Sequence, residues 1–294
     1  MDLRQLNTFV TIAKLQSFTQ AAEILGYAQS TITTQIQLLE KELETKLFER
    51  LGRNISLTSE GQKLLPYAKQ ILRLSSEAKS AVSSSDIPKG TLTIGAVESL
   101  CIVRLPELLK EYRKRYPEVE ISLKFGSSSD FYRYLRDNTI DIAFFLDRKI
   151  ESEDLISEIH FQEPMTLLTA PGHPLALKEK VLPGDLDNEP FILTETGCCY
   201  RAAFENIINR YGVQLRSVLE TGSVQAIKQL AMSGLGITLL PKVAVEEELA
   251  QNRLLSLKWG GPEIEIFTQV IYHKDKWISA PLNAFLELVR EMLP

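Results

Sequence analysis

The stretch from residue 18 to residue 48 constrains the fold of this chain more than any other part of it. Ser17 is a suitable N-cap for a first short helix, and Gly26, which tolerates positive φ, is suited to end it. After a turn of two residues, a second helix is expected over about residues 29–43. Its apolar residues recur at helical spacing on one face: Ile32, Ile36, Leu39 and Leu43. The sequence therefore predicts two helices joined by a tight turn.

The opposite face of the second helix is polar but mostly uncharged. It carries Ser30, Thr33, Thr34, Gln37 and Lys41. Amides and hydroxyls suit base edges in a major groove, because Gln can pair with adenine and a hydroxyl can serve any base. A helix–turn–helix places its second helix in that groove. The pair of helices alone leaves an ordinary solvated helix of a bundle as the alternative.

Two short strands are expected directly after the second helix. They cover residues 46–50 and 55–58, with a turn over residues 51–54 between them. A hairpin that carries Arg50 and Arg53 beside a helix pair is typical of a winged helix–turn–helix. The two arginines are expected to contact phosphates or to enter the minor groove.

Residues 1–60 resemble the N-terminal domain of LysR-type transcriptional regulators. The resemblance rests on many short stretches at fixed spacings: Leu6-Asn7-Thr8-Phe9, Ser17-Phe18-Thr19-Gln20-Ala21-Ala22, Gln29-Ser30-Thr31-Ile32-Thr33-Thr34-Gln35-Ile36, Leu39-Glu40, Leu47-Phe48-Glu49-Arg50 and Leu57-Thr58-Ser59-Glu60-Gly61. It implies binding to double-stranded DNA. It also adds four residues to the expected DNA contacts: Ser17, Thr19, Gln29 and Thr31.

Two positions depart from the pattern of that family. The family usually has Ser or Thr where this chain has Ala28, so the usual side-chain cap of the second helix is missing, at a typical cost of about 1 kcal/mol. Gln29 or Ser30 would have to replace it. The family also favours Gly where Glu44 stands, which leaves the end of that helix less defined.

Length and composition fit a regulator of more than one domain. A chain of 294 residues suggests about two domains. No apolar run approaches the roughly 20 residues of a membrane helix, so no membrane partner is expected. The N-terminus opens into an amphipathic helix rather than a signal peptide. Three cysteines without framework spacing fit a reducing compartment. We therefore expect a cytoplasmic protein.

The charge of the chain argues mildly against nucleic-acid binding. The net charge is −5. Within residues 1–58, the basic and acidic side chains are equal in number: Arg4, Lys14, Lys41, Lys46, Arg50 and Arg53 against Asp2, Glu23, Glu40, Glu42, Glu44 and Glu49. We expect a shallow salt dependence for each monomer, because few phosphates are neutralised. Specific affinity would then need two or more copies of the domain.

A long helix is expected over residues 59–85, with Thr58 as its N-cap. Its apolar and small residues follow a heptad pattern: Leu64, Ala68, Ile71, Ser75, Ala78 and Val82. One interpretation is a helix that lies on its own domain. A dimer seam is favoured, because so long a helix has no obvious surface of its own to cover, and the LysR resemblance implies a dimerising linker helix. A hinge is expected at residues 83–90, which are rich in helix breakers.

The remainder of the chain alternates strands and helices, which is typical of βαβ units with a parallel sheet. Two spans of similar length, 126–142 and 222–237, each begin at a Gly-Ser turn and end on a strand. The pattern predicts two similar α/β subdomains with a cleft between them. This part resembles the type 2 periplasmic-binding-protein fold that the LysR family uses as its effector domain.

The predicted fold is thus an all-α winged helix–turn–helix and linker helix followed by an α/β effector domain. The predicted domains are residues 1–58 for DNA binding, 59–89 for the linker helix and hinge, and 90–294 for effector binding. Within the last, subdomain I covers 90–161 and 266–294, and subdomain II covers 162–265.

Helix N-termini that follow Gly or Ser turns are natural anion sites. Four occur here: Glu98-Ser99, Gly126-Ser127-Ser128-Ser129, Thr196-Gly197-Cys198-Cys199 and Gly222-Ser223. The LysR resemblance places effector contacts at the first three. The expected effector-binding residues are Ser99, Leu100, Ser127, Ser128, Gly197, Cys198 and Ser223. The alternative is that the hydroxyls only cap helices. A small carboxylate or amino-acid-like metabolite is the expected effector, and Glu98 would disfavour a strongly anionic ligand or read an amine.

Other functional classes are less well supported by the sequence. Cys198 and Cys199 could form a redox switch, or they could be two small buried residues. The histidines are scattered and offer no metal spacing, and no GxSxG, CxxC or phosphate-binding Gly-Lys motif is present. No cofactor, metal or catalytic residue is expected. An enzyme with an appended DNA-binding domain and a plain solute-binding protein are the rivals of a DNA-binding regulator that forms a homodimer or homotetramer.

Overall fold

The computed structural model describes residues 1–51, 54–82 and 87–293, and gives the backbone alone for residues 50, 51, 54, 77 and 80–82. The chain forms two compact units, Met1–Ser85 and Asp86–Pro294. The tip of the predicted hairpin at residues 52–53, with Arg53, lies outside the described residues. Half of the predicted hinge, residues 83–86, lies outside them as well.

The first unit is a winged helix–turn–helix, as predicted. Its elements are α1 (Leu3–Leu15), α2 (Phe18–Leu25), α3 (Gln29–Glu42), the strands β1 (Phe48–Leu51) and β2 (Asn54–Leu57), and α4 (Ser59–Val82). The two strands are antiparallel, with Phe48 opposite Leu57. Three aromatic rings lie at the centre of its core, where Phe48 packs against Phe9 and Phe18 with centroid distances of 5.4 and 5.7 Å. The hairpin is thereby anchored to the helices by its first residue.

Helix α2 begins and ends as the sequence predicts. The Ser17 hydroxyl accepts a hydrogen bond from the Gln20 N–H at 3.3 Å. Gly26 ends the helix with φ of 69°. Helix α3, by contrast, begins at Ala28 with no side-chain cap, so neither Gln29 nor Ser30 replaces the missing hydroxyl. The orphan N–H groups of its first turn remain open to another acceptor.

The end of helix α3 differs from the prediction in one residue. Leu43 is not part of the buried face, because the helix ends at Glu42 and Leu43 is 36% exposed. Glu44 then adopts a left-handed conformation with φ of 53°. The Thr45 N–H donates to the Glu40 carbonyl and the Glu44 N–H to the Lys41 carbonyl. This is a Schellman C-cap, in which Glu44 takes the position that glycine usually holds.

Helix α4 begins where Thr58 accepts a hydrogen bond from the Gly61 N–H at 2.9 Å. The first half of its predicted dimer seam packs on the core of the first unit: Leu64, Ala68 and Ile71. That half of the prediction is wrong, because the heptad spacing also matches the face that lies along α1. Two large apolar residues of α4 are nevertheless exposed one heptad apart, Tyr67 at 63% and Leu74 at 61%.

The second unit contains two sheets, seven α-helices and three short 3-10 helices among the described residues. The strands are β3 (Gly90–Ala96), β4 (Val119–Phe125), β5 (Ile142–Asp147), β6 (Leu155–Gln162), β7 (Met165–Thr169), β8 (Pro190–Leu193), β9 (Arg216–Glu220), β10 (Thr238–Pro241), β11 (Leu255–Ser256) and β12 (Phe267–His273). The helices are α5 (Glu98–Val103), α6 (Leu105–Arg115), α7 (Ser128–Arg136), α8 (Cys199–Arg210), α9 (Val224–Met232), α10 (Glu246–Ala250) and α11 (Ala280–Met292).

The first sheet, with its flanking helices, forms lobe I. Its strand order is β4-β3-β5-β12-β6. The first three strands are parallel, and β12 pairs antiparallel with both β5 and β6. The last helix, α11, returns to this lobe, where Phe285 packs edge-on against Tyr112 and Phe144.

Lobe II, which contains β7–β11, repeats this arrangement. Strands β10, β7 and β11 form one antiparallel group, and β8 pairs parallel with β9. The two groups meet where Ile192 N–H donates to the Ile237 carbonyl and Ile237 N–H to the Pro190 carbonyl, both at 2.8 Å. The resulting order β9-β8-β10-β7-β11 matches that of lobe I, strand for strand. The prediction of two similar α/β subdomains is confirmed.

The chain crosses between the lobes twice, directly after β6 and directly before β12. Glu163 lies at the first crossing and is 1% exposed. Its carboxylate accepts hydrogen bonds from the Thr268 hydroxyl at 2.7 Å and from Arg104 at 3.4 Å. Glu163 thus ties the first connecting segment to β12 and to the turn between α5 and α6.

Candidate functional sites

The outward face of α3 presents hydroxyl and amide groups to solvent. Ser30, Thr34 and Gln37 are exposed, and Thr33 is half-buried. The Thr33 hydroxyl donates to the Gln29 carbonyl at 2.8 Å and the Thr34 hydroxyl to the Ser30 carbonyl at 2.9 Å. Because each hydroxyl has used its one hydrogen, its oxygen can only accept further bonds. Both threonines are therefore suited to a base that donates, such as adenine N6 or cytosine N4.

The other sequence-predicted DNA contacts surround this face. Gln29, Thr31 and Thr19 are exposed, whereas Ser17 is half-buried at the start of α2. Ser17 accepts from the Gln20 N–H and keeps its own hydrogen for a phosphate oxygen. The backbone of Arg50 lies in β1, while Arg53 is outside the described residues.

Two buried polar contacts hold α3 in place, and the sequence analysis did not identify either of them. Thr8 of α1, only 1% exposed, donates its hydroxyl hydrogen to Gln35 at 2.5 Å. Glu40, 8% exposed, accepts from the Leu47 N–H at 2.9 Å and from the Lys46 ammonium at 2.7 Å. Glu40 thus ties the hairpin to α3 and offsets the charge of Lys46. The signal in the sequence was an acid at helical spacing from Ile36, on the apolar face.

A cavity of about 680 Å³ lies between the two lobes. Its walls are the segments that follow the carboxyl ends of β3, β4, β8 and β9, together with the end of β5. Open α/β sheets bind ligands at this edge, where side chains and helix N-termini converge. The position of the cavity is therefore that of a ligand site.

Most of the sequence-predicted effector residues line this cavity: Ser99, Ser127, Ser128, Gly197 and Cys198. Leu100 does not, because it is fully buried in the core of the second unit. Ser223 is not among the lining residues and lies behind the wall, where it caps α9. Several lining residues were not predicted from the sequence, among them Phe125, Asp130 and Glu195. These lie within one to four residues of the Gly and Ser turns that drew attention to the site.

Two of the lining serines are already hydrogen-bonded within the protein. Ser127 caps α7 together with Asp130, whose carboxylate accepts from the Ser127 N–H at 3.1 Å. The Ser128 hydroxyl donates to the Leu146 carbonyl at 3.2 Å. The interpretation of these hydroxyls as N-caps therefore holds for Ser127, and Ser128 ties α7 to β5.

Glu98 joins the two lobes at the edge of the cavity. It is the first residue of α5 in lobe I, and its carboxylate accepts from the Ser223 hydroxyl at 3.2 Å and the Val224 N–H at 2.8 Å. Both donors lie at the N-terminus of α9 in lobe II. The expectation that Glu98 binds an amine stays a prediction, and each of its two oxygens already accepts one hydrogen bond from the N-terminus of this helix.

The adjacent cysteines lie on the floor of the cleft. All three cysteines are free thiols, and the single thiol hydrogen of Cys199 can be donated either to the Leu146 carbonyl of the opposite lobe or to Cys198. A hydrogen bond from the Cys199 thiol, helped by the Thr194 hydroxyl and the Arg201 N–H, lowers the pKa of Cys198 to about 7. The same bond, together with burial, raises the pKa of Cys199. Of this pair, Cys198 is the thiol that ionises near neutral pH.

Comparison with known families decides the class of the protein. A model of the lysR family of bacterial regulatory helix-turn-helix proteins matches residues 3–62. A model of the LysR substrate binding domain matches residues 85–294. The chain is a LysR-type transcriptional regulator. This LysR-type regulator has a DNA-binding helix-turn-helix domain and an effector-binding domain, and its family consists of transcriptional regulators, not enzymes.

Relatives extend over nearly the full length of the chain. An uncharacterized HTH-type transcriptional regulator of Bacillus subtilis (strain 168), YwqM, is 41% identical over 292 residues, which cover 99% of each chain. The HTH-type transcriptional regulator GltR of the same organism is 34% identical over 291 residues, covering 99% of this chain and 97% of GltR.

Solved structures agree with the fold of this LysR-type regulator. A full-length OxyR variant from Pseudomonas aeruginosa gives a TM-score of 0.72 at 21% identity, covering 99% of this chain and 95% of the other. Full-length CbnR complexed with its target DNA gives 0.71 at 22% identity, with 99% of both chains covered. At these identities the likeness shows the fold alone, and it supports the predicted fold class.

Two kinds of feature are absent from the described residues. No helix in them is long and apolar enough to cross a membrane. They also contain no group of three or more His, Cys, Asp or Glu side chains that could hold a metal ion.

Proposed function

We propose that this LysR-type regulator binds an interrupted inverted repeat in DNA as a homodimer or homotetramer, and that a small molecule in the cleft between its lobes changes those DNA contacts. The observation that carries the DNA-binding part is the face of α3, which presents uncharged hydrogen-bonding groups where a solvated helix would present Glu and Lys. A face of this kind is suited to base edges.

The proposed base contacts are Ser30, Thr33, Thr34 and Gln37. Gln37 is the amide of this set, with a donor and an acceptor on separate atoms, so it is the one suited to a bidentate pair with adenine. The proposed phosphate and sugar contacts are Ser17, Thr19, Gln29 and Thr31. Arg50 and Arg53 would contact the backbone or the minor groove from the hairpin.

The open N-terminus of α3 adds a further reason to expect phosphate there. Ala28 provides no side-chain cap, so the first N–H groups of the helix have no side-chain acceptor. A helix N-terminus with free N–H groups attracts anions. A DNA phosphate in this place would supply the cap that the family usually has in the protein itself.

Assembly into a dimer follows from the weak charge of the DNA-binding domain. With equal numbers of basic and acidic side chains in residues 1–58, one copy neutralises few phosphates. Linking two copies raises affinity without new contacts. The proposed domain limits are 1–58, 59–89 and 90–294, with the linker helix as the dimerising element, and we propose that the regulator works in the cytoplasm, where its DNA is.

The proposed effector is a small carboxylate or amino-acid-like metabolite. The cavity meets the general requirements of a small-molecule site: it is concave, it lies at the carboxyl ends of strands, and it combines apolar walls with a few polar groups. The proposed binding residues are those of the predicted set that line it, namely Ser99, Ser127, Ser128, Gly197 and Cys198.

Fluorescence anisotropy with the DNA upstream of the regulator's own gene tests the proposal. The wild-type chain should bind this DNA more tightly than a scrambled duplex. Gln37→Ala should lose about 1–3 kcal/mol of discrimination at one base pair and little at the others. Gln229→Ala, an exposed glutamine of α9, is the matched control and should bind as the wild type does. Equal weakening by Gln37→Ala on every sequence would show that Gln37 positions the helix without reading a base.

A further inference from the structure

The charged groups around the cavity are all of one sign. Three carboxylates line it, those of Glu98, Asp130 and Glu195, and among the described residues no Lys, Arg or His side chain does. A ligand that brings only a negative charge would therefore meet no cationic side chain in the cleft. It would have to rely on helix N-termini for compensation.

Two of the three carboxylates already have partners. Glu98 accepts from Ser223 and Val224 at the N-terminus of α9. Asp130 accepts from the Ser127 N–H and hydroxyl at the N-terminus of α7, and from Arg133 at 3.1 Å. These contacts satisfy the two carboxylates. They also occupy the N-termini of α7 and α9, whereas the N-termini of α5 and α8, which line the cavity as well, have no side-chain cap.

Glu195 is the lining carboxylate without a partner. It lies just after β8, its side chain is exposed, and no hydrogen bond or ion pair is formed by its carboxylate within the described part of the chain. The carboxylate lies over the backbone of Gly222 on the same lobe, since a Cβ added at Gly222 would be 3.2 Å from Oε2. The small residue at position 222 leaves room for Glu195 at the rim of the cavity.

The cation nearest to Glu195 in sequence is already engaged. Arg201 forms ion pairs with Glu205 and Glu220, both at 2.8 Å, and also donates to the Thr194 carbonyl. It does not line the cavity. Glu195 thus remains a negatively charged acceptor that the protein itself does not neutralise.

The other walls of the cavity are partly apolar. Val97, Phe125, Leu146, Tyr200 and Val224 contribute to them. A ligand that fills this space must cover apolar surface. A positive charge on the same ligand would be placed near Glu195 at the rim.

We propose that the effector carries an ammonium group on a partly apolar body and that Glu195 binds this ammonium. The inference rests on the proposed function of the cleft as the effector site. It favours one of the two expected classes: an amino-acid-like compound or an amine can pair with Glu195, whereas a carboxylate without an amine leaves Glu195 unpaired. An ammonium–carboxylate bond is charge-assisted and gains strength when the ligand displaces water from around it.

Compounds with the same apolar body but different charged groups test the proposal. The probes are two series measured by calorimetry on the purified full chain: leucine, isoamylamine and 4-methylpentanoate, and phenylalanine, phenethylamine and 3-phenylpropanoate. At least one ammonium compound should bind, and the carboxylate of its series should bind about tenfold more weakly or not at all.

Variants assign the bound ammonium to Glu195. Glu195→Gln keeps the shape of the side chain, removes its charge, and should weaken binding of the ammonium compound about tenfold. Gly222→Ala, which crowds the Glu195 carboxylate, should weaken binding of the ammonium compound less than Glu195→Gln does. Glu179→Gln alters another exposed glutamate of lobe II and is the control that should bind as the wild type does. Thermal melting of each variant checks that it is folded.

The outcomes separate this inference from the proposed function. Three results would each overturn the ammonium site. They are tighter binding of a carboxylate than of the ammonium compound of its series, no binding of any ammonium compound in the two series, and unchanged binding of the ammonium compound by Glu195→Gln. DNA binding by the chain without any compound is measured in parallel by anisotropy. If the chain did not bind DNA, the DNA-binding proposal would be refuted. This result does not depend on which compound enters the cleft.

Discussion

Glu44 holds a backbone conformation that costs energy for any residue with a side chain. Its φ of 53° lies in the left-handed region, and it ends the recognition helix α3. For an L-residue this conformation costs roughly 1–2 kcal/mol, whereas glycine adopts it freely but loses more entropy on folding. Glu44→Gly should therefore stabilise the DNA-binding unit by about 0.5–1 kcal/mol in urea unfolding. Glu23→Gly, inside α2, should instead destabilise the unit. Equal effects of the two changes would contradict the left-handed conformation assigned to Glu44.

Cys198 should react with alkylating agents at a lower pH than an ordinary cysteine. The thiolate is the nucleophile, and with its pKa lowered to about 7 the Cys198 thiolate is lost only as the pH falls through 7. The rate of labelling by iodoacetamide should therefore rise with pH and reach half its maximum near pH 7. Burial raises the pKa of Cys101 to about 11, so Cys101 should label slowly at that pH.

Removing the hydrogen-bond donor should shift this curve. Cys199→Ala deletes the thiol that favours the Cys198 thiolate, so the midpoint should move toward that of an ordinary cysteine. Cys101→Ala should leave the midpoint in place. A wild-type midpoint already at the ordinary value would show that the pair is not coupled, and it would remove the basis of a redox switch at these residues.

At the scale of the elements, Glu98 acts as an N-cap for a helix of the other lobe. Its carboxylate accepts from Ser223 and Val224 of α9, although 125 residues separate it from Ser223. Hydrogen bonds to a charged group typically contribute about 1.5–3 kcal/mol, and half-burial reduces that. Glu98→Ala should therefore destabilise the effector-binding unit by about 1–2 kcal/mol, and Glu98→Gln by less, because an amide oxygen still accepts.

Amide hydrogen exchange locates the effect of this change. With Glu98→Ala, the Val224 N–H loses its acceptor and should exchange faster than in the wild type. Glu120→Ala, on the exposed part of β4, is a control that should leave it unchanged. Unchanged exchange at Val224 in Glu98→Ala would show that the two lobes are not joined there in solution.

The elements themselves were largely predictable, because their signals are local. Ser17, Gly26 and Thr58 cap helices through neighbours within a few residues, and the structure has these caps where the sequence predicts them. The duplicated lobes were visible because two spans of similar length begin at the same kind of turn. What could not be predicted depends on contacts distant in sequence. The pairing of Glu98 with α9 and the burial of Glu40 beneath the hairpin are of this kind.

At the scale of the whole molecule, the heptad spacing of α4 is another case in which a contact distant in sequence could not be predicted. Their spacing fits both a dimer seam and the face that lies on α1, and the structure assigns Leu64, Ala68 and Ile71 to the latter. Periodicity identifies an apolar face but does not name its partner. Ala78 of the predicted seam and two large apolar residues, Tyr67 and Leu74, are exposed on α4 and are available for the proposed contact with a second copy.

Leu74→Glu should separate the proposed dimer without unfolding the monomer, because Leu74 is 61% exposed and takes no part in the described core. Analytical ultracentrifugation should show a dimer or tetramer for the wild type and a smaller species for the variant. Each DNA-binding domain has no net charge in residues 1–58, so the variant should lose the gain from linking two copies, which is about 10²–10⁴ in affinity for the full repeat. Lys69→Glu, on another face of α4, should remain assembled. If Leu74→Glu stays assembled and binds DNA fully, the copies meet elsewhere, and the exposed stripe of α4 does not hold them together.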